Sequence, residues 1–180
     1  MNSEVLSVRE IKKEDINSLV EYWFTAKARF LLGMGVDITK MPKREEFSAM
    51  LEAQLKQSYT EKQSYCTIWL VNGKAIGHCN VNRIVFGEEA SMHLHTWNSG
   101  FRQKGFGVDF VKMSLSYFFD NLKLKKVYSE PYALNPGPNK TLEKVGFAFV
   151  KKYTTIPGVI NFEQEVNRWE LSYEEYRKLN

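Results

Sequence analysis

The sequence predicts an α/β domain built on a mixed sheet, and three observations carry that reading. Short runs rich in β-branched and aromatic residues are separated by turns, of which Asn72-Gly73 is the clearest hairpin signal. Two amphipathic helical patterns precede those runs. A long apolar helical pattern, Val108 to Leu122, then interrupts them, directly after the glycine-rich stretch Arg102-Gln103-Lys104-Gly105-Phe106-Gly107. The hairpins exclude a purely parallel sheet.

Taken in order, Val5 to Ile11 alternates like a short strand. Lys13-Glu14-Asp15 opens a helix whose apolar residues Ile16, Leu19, Val20 and Trp23 recur at helical spacing. Leu31 to Asp37, with two glycines, is expected as a partly apolar loop. Pro42 then starts a second helix with Phe47, Met50, Leu51 and Leu55 on one face. Ser64–Val71 and Ala75–Val85 pair across Asn72-Gly73, and Gly87-Glu88-Glu89 turns into a fourth strand, Ala90 to Trp97. After the long helix comes a strand from Lys126 to Tyr132, then a turn at Asn135-Pro136-Gly137-Pro138-Asn139. A short helix, Lys140 to Val145, stops at Gly146. Phe147–Thr155 and Glu165–Ser172 complete the set, joined around Pro157-Gly158.

The 180 residues suit a single domain, 1–180, and can bury a sizeable core. The apolar fraction of 43% and charged fraction of 26% are those of a soluble globular protein. No apolar run approaches the ~20 residues of a membrane-spanning helix, so no membrane partner is expected. Met1 to Val5 lacks the features of a secretory signal. Cys66 and Cys79 lie inside strand candidates and read as reduced core residues, which fits a cytoplasmic setting. The net charge of +4 is spread along the chain, and its densest pieces, Lys123 to Lys126 and Lys151-Lys152, are short. A nucleic-acid binder concentrates its basic charge, so no nucleic acid is expected.

The stretch from Arg102 to Gly107 joins a strand to a helix N-terminus. Gly105 and Gly107 permit a positive φ or a close backbone approach. The first-turn N–H groups of the following helix have no intrahelical partners and sit at its positive dipole end, where a phosphate or pyrophosphate fits. The three-glycine spacing of a dinucleotide-binding turn is missing, and the turn follows the fourth strand rather than the first.

At these residues the chain resembles the GCN5-related N-acetyltransferase (GNAT) superfamily, most closely its ribosomal-protein-type (RimJ/RimL-like) branch. Arg102, Gly105 and Gly107 match the family's Arg/Gln-x-x-Gly-x-Gly/Ala turn. Asn135, Leu142, Gly146 and Phe147 fall at the spacing of a second family pattern, with Pro138 in place of its usual small residue. The ending Trp169 to Tyr176 is also similar to the last strand and short helix of that branch. The resemblance implies a mostly antiparallel sheet of six or seven strands, splayed between the fourth and fifth. It implies acetyl-CoA as cosubstrate, no metal, and an amine acceptor, either a small molecule or a protein N-terminus, in a monomer or homodimer. The cofactor would touch Trp97, Phe101, Arg102, Gln103, Lys104, Gly105, Phe106 and Gly107, with the pyrophosphate on backbone N–H groups from Gln103 to Gly107. Backbone groups near Trp97 and Phe101 would pair with the pantetheine arm, and Asn135 would contact it near the thiol.

Such a transfer needs a proton acceptor for the attacking amine and a donor to the developing oxyanion. His93 and His95 share one face of the fourth strand with Ser91 and Trp97. His93 lies twelve residues before Gly105, where family members often carry a base or a water-relaying group. His95 and Glu130, on the fifth strand, are the alternatives. The tyrosine acid of many family members is Leu142 here, which leaves Tyr132, Tyr153 or an unprotonated leaving thiolate. A non-catalytic coenzyme-A sensor or partner-binding subunit on the same fold is the competing class.

Overall fold

The computed structural model describes residues 4–102 and 104–179. Strand β1 (Leu6–Glu10) leads into helices α1 (Ile16–Phe24), α2 (Ala28–Gly33) and α3 (Arg44–Lys56). Strands β2 (Ser64–Val71), β3 (Lys74–Val85) and β4 (Glu89–Thr96) follow as antiparallel neighbours. Helix α4 (Phe106–Leu122) then crosses to β5 (Lys126–Ser129), and α5 (Pro136–Val145), β6 (Ala148–Thr155), β7 (Gln164–Ser172) and α6 (Tyr173–Lys178) complete the chain. The seven strands form one sheet in the order β1-β2-β3-β4-β5-β7-β6. Only β4 and β5 run parallel, because α4 returns the chain to the same end of the sheet.

Strand β2 explains why helices cover both faces. Its alternate residues Cys66, Ile68 and Leu70 pack with Ile16, Leu19, Val20 and Leu51 of α1 and α3. Tyr65, Trp69 and Val71 join the larger core under α4. There Phe110, Val111, Leu115, Phe118 and Leu122 are completely buried, each worth about 1.5–3 kcal/mol of transfer free energy. Cys66 and Cys79 are buried and unpaired with each other, and burial pushes both thiols well above their ordinary pKa.

Three elements differ from the sequence reading, each through a local cause. Helix α5 begins at Pro136, four residues before the expected Lys140, because proline at the first helical position needs no N–H partner. Strand β5 ends at Ser129, short of Tyr132, since Pro131 cannot continue the ladder. Beyond it Tyr132 forms an isolated bridge to Val166. Part of the expected 31–37 loop is the end of helix α2, closed by Gly35 at φ +81°.

Candidate active site

The site starts where the sheet opens. Strands β4 and β5 pair through Glu89–Lys126, Ala90–Val127 and Ser91–Tyr128, and there the ladder stops. Buried Ser129 donates its hydroxyl to the Met92 carbonyl at 2.8 Å, a last link before the strands part. Strand β4 continues to Thr96, so one edge of it faces the opening. The Trp97 N–H donates to Ile76 on β3. By ladder alternation the peptide groups of Leu94 and Thr96 therefore face the β5 side.

The glycine turn before α4 lies at the far end of that edge. Gly105 adopts φ +87° and no side chain caps α4, whose first-turn N–H groups follow directly. Apart from its chain neighbours, a Cβ on Gly105 would meet no atom of the described residues within 4 Å. Lys104 is exposed with its ammonium 5.1 Å from the Phe101 ring centre. Phe106 packs against the main core. Arg102 turns back, donating Nε and Nη2 to the Thr96 carbonyl at 3.2 and 2.9 Å, and its guanidinium lies over Phe30 of α2. Gln103 lies outside the described residues. Asn135 precedes α5 half-buried, and its carbonyl accepts from Asn139 Nδ2 at 2.8 Å.

All three histidines lie on the face of the sheet opposite α4. The register sets His78 opposite His95 and Asn80 opposite His93, with Asn82 opposite Ser91. The His78 and His95 rings stack 4.7 Å apart. His95 Nδ1 lies 3.1 Å from the hydroxyl of buried Tyr22, and Trp23 packs edge-on against the His95 ring. His93 Nε2 lies 3.2 Å from Asn82 Oδ1 and 3.5 Å from Ser91 Oγ. Burial pushes His93 down to about 4, Arg83 adds to that shift, and Glu130 partly opposes it. Burial holds His78 at about 3 and His95 well below its ordinary value. All three are neutral near pH 7.

Glu130 does not stand free beside the cleft. Its buried carboxylate accepts from Arg168 Nη1 at 2.8 Å and from the Tyr153 hydroxyl. Arg168 also donates Nε to Glu170 at 2.7 Å and stacks on Tyr128. Burial opposes the Arg168 charge, but the two carboxylates hold it on and raise its pKa. Tyr153 is pushed up by burial and by Glu130. Leu142, at the family's tyrosine position, is wholly buried in the core.

An arch bounds this face. Val36 bridges to Asn161, and Asp37 N–H donates to Ile160 at 2.8 Å. Asn161 Nδ2 and Gln164 Nε2 both donate to the Gly35 carbonyl at 2.8 Å. The segment after α2 is thereby zipped to the β6–β7 connection.

Sequence reasoning missed Asn82, Arg168, Ser129 and Asn139. A signal existed for Asn82, since His78, Asn80 and Asn82 alternate with apolar Cys79 and Val81 along β3. Asn139 joins three elements: its carbonyl oxygen accepts from Trp169 and Asn167, and its amide donates toward Tyr132 and Asn135. Nothing local in the sequence marks that role. Among the described residues no cluster of metal-ligating side chains occurs, and no helix is long and apolar enough to cross a membrane.

An opened parallel pair with an uncapped helix N-terminus at its end defines a fold that offers an extended strand edge and an anion site in line. A family model for the acetyltransferase (GNAT) domain matches residues 6–148, and the chain belongs to that family. The activity this membership carries is acetyl transfer from acetyl-CoA to an amine. Among solved structures, the chain is similar to spermidine N-acetyltransferase from Vibrio cholerae in complex with CoA and spermine. The TM-score is 0.76 and the identity 17%, covering 96% of this chain and 98% of that one. It is similar also to the RimL ribosomal L7/L12 alpha-N-protein acetyltransferase in complex with coenzyme A, with TM-score 0.76, 11% identity, and coverage of 96% and 97%. At these identities the likeness is one of fold. No curated protein matches the chain by sequence.

Proposed function

We propose that the chain acetylates a singly charged primary amine, on a small molecule or a protein N-terminus, by direct attack on acetyl-CoA lying between β4 and β5. The observation that carries this reading is the end of β4–β5 pairing at Ser91–Tyr128, with His93 next on that face and the α4 N-terminus beyond. First-turn N–H groups of α4, with Lys104 and Gly105 beside them, receive the pyrophosphate. The Leu94 peptide groups and the N–H of Thr96, whose carbonyl Arg102 occupies, offer strand-like bonds to the pantetheine arm, and Asn135 is assigned to its thiol end.

The ammonium first gives up one proton to solvent, and the neutral amine attacks the thioester carbonyl. As the C–N bond forms its N–H becomes far more acidic, so a weak base such as His93 suffices to take the proton. A backbone N–H at the open β4 edge stabilises the oxyanion. With Leu142 in the acid position, the sulfur leaves as thiolate, which a free thiol pKa of ~8.5 permits near neutrality.

Charge around the acceptor face argues for a single amine. Glu130 is tied to Arg168, Asp37 to Lys40 and Glu165 to Lys152, while Glu163 is exposed at the rim. Half-buried Arg102 adds a cation with no carboxylate partner among the described residues. This arrangement disfavours a polycation. The buried, reduced cysteines suit a cytoplasmic setting.

Isothermal titration and steady-state kinetics test the reading. Acetyl-CoA is expected to bind the wild type, and Gly105→Ala to lose at least tenfold in affinity while remaining folded, with a backbone penalty of about 1–2 kcal/mol. His93→Ala is expected to lower turnover without changing acetyl-CoA affinity. No acetyl-CoA binding at high micromolar concentration, or a preference for spermidine over monoamines and peptide N-termini, would overturn it.

A further inference from the structure

We infer that Asn82 is a positioning residue for His93: its side-chain carbonyl accepts the His93 Nε2–H, which leaves Nδ1 as the atom that receives the proton from the amine. The inference rests on the reading of His93 as base. Four observations support it.

First, Asn82 Oδ1 is the nearer partner of Nε2, at 3.2 Å, with Ser91 Oγ at 3.5 Å. An imidazole that donates from Nε2 is in the Nε2–H tautomer, with its lone pair on Nδ1. Second, Nδ1 has no hydrogen-bond partner among the described residues, so it is the nitrogen left for chemistry.

Third, the backbone holds Asn82 in an unusual place. It is the last residue of β3 in regular pairing, opposite Ser91, before the register shifts between Asn82 and Val85. The next residue, Arg83, takes a left-handed φ of +49°, which a non-glycine residue rarely adopts. A bulge of this kind bends a strand and re-aims a side chain, a feature over-represented beside active sites.

Fourth, among the described residues no unpaired carboxylate faces the ring. The charged and titratable groups that face His93 are Arg83 from β3, Glu130 beyond β5, and the neutral rings of His78 and His95. Glu130 is the single carboxylate of this group, and Arg168 and Tyr153 occupy it. An amide carbonyl therefore does the orienting. It fixes the tautomer without a negative charge, and so directs the ring while leaving it neutral.

Histidine ¹⁵N–¹H correlation spectra and pH–rate profiles test this in the whole protein. Wild-type His93 is expected to give the Nε2–H pattern, and Asn82→Leu a mixture of tautomers. That variant is expected to lower kcat about tenfold with acetyl-CoA affinity unchanged. Asn82→Asp is expected to keep the tautomer and move the acid limb of the rate profile upward by at least one pH unit, through the charge placed beside the ring. An Nδ1–H tautomer in the wild type, or Asn82 variants with wild-type tautomer and pH profile, would overturn the assignment. His93→Ala separates the two readings. If it leaves turnover unchanged, the base itself is wrong; if it abolishes turnover while Asn82→Leu does nothing, only the positioning role fails.

Discussion

The indole N–H of Trp97 donates to Nδ1 of His78 at 2.7 Å, across the two strands that carry the histidine face. That bond sets His78 as an Nε2–H tautomer, stacked on His95 and almost wholly buried. It also ties the Trp97 side chain to β3, whereas the role expected from the sequence near Trp97 is one for backbone groups.

A protein with three depressed histidines is expected to be acid-sensitive. The folded values, about 3 for His78 and about 4 for His93, lie below the ordinary 6.5. The unfolded chain therefore binds more protons over that interval. Stability is complete above pH ~6.5 and falls by a few kcal/mol as pH drops from there toward 4. Thermal melts across this range are expected to show the decline, and His78→Gln a shallower one. A melting temperature independent of pH from 6.5 to 4 would contradict the burial.

Gly35 is expected to be irreplaceable in the arch. At φ +81°, a Cβ there would sit 2.0 Å from Gln164 Oε1 and 2.5 Å from its Nε2. Gln164 cannot swing clear easily, since Nε2 is held by the Gly35 and Phe162 carbonyls. Gly35→Ala should destabilise by about 1–3 kcal/mol and raise KM for the amine more than for acetyl-CoA. Equal effects on both KM values would argue that the arch does not border the acceptor.

Removing one partner of the Glu130–Arg168 pair should cost more than removing both. Their side chains are 5% and 19% exposed, so Arg168→Met leaves a buried carboxylate without its cation, a loss of about 3–5 kcal/mol. The double variant Glu130→Gln with Arg168→Met should recover part of that. Urea denaturation measures both, and a double variant no more stable than the single would mean the pair is uncoupled.

Much of the fold was legible because its signals are local. Val108 to Leu122 is apolar at helical spacing, and Asn72-Gly73 demands a hairpin, so those elements follow from residues near one another. The misjudged boundaries at Pro131, Pro136 and Gly35 follow from the same local rules applied one step further. The polar contacts were harder. Glu130 reads as a free carboxylate until Arg168, thirty-eight residues later, arrives beside it on β7.

By itself the sequence determined the order of the strands along the chain, the glycine turn before α4 and the histidine face of β4. These rest on periodicity, turn chemistry and spacing, all of them properties of short segments. Only the tertiary structure decided that β4 and β5 part after Ser91, that Asn82 faces His93 and that Arg102 bends back onto Thr96 and Phe30. Those are contacts between segments brought together by the closing of one sheet, and the strand register that fixes them is a long-range property.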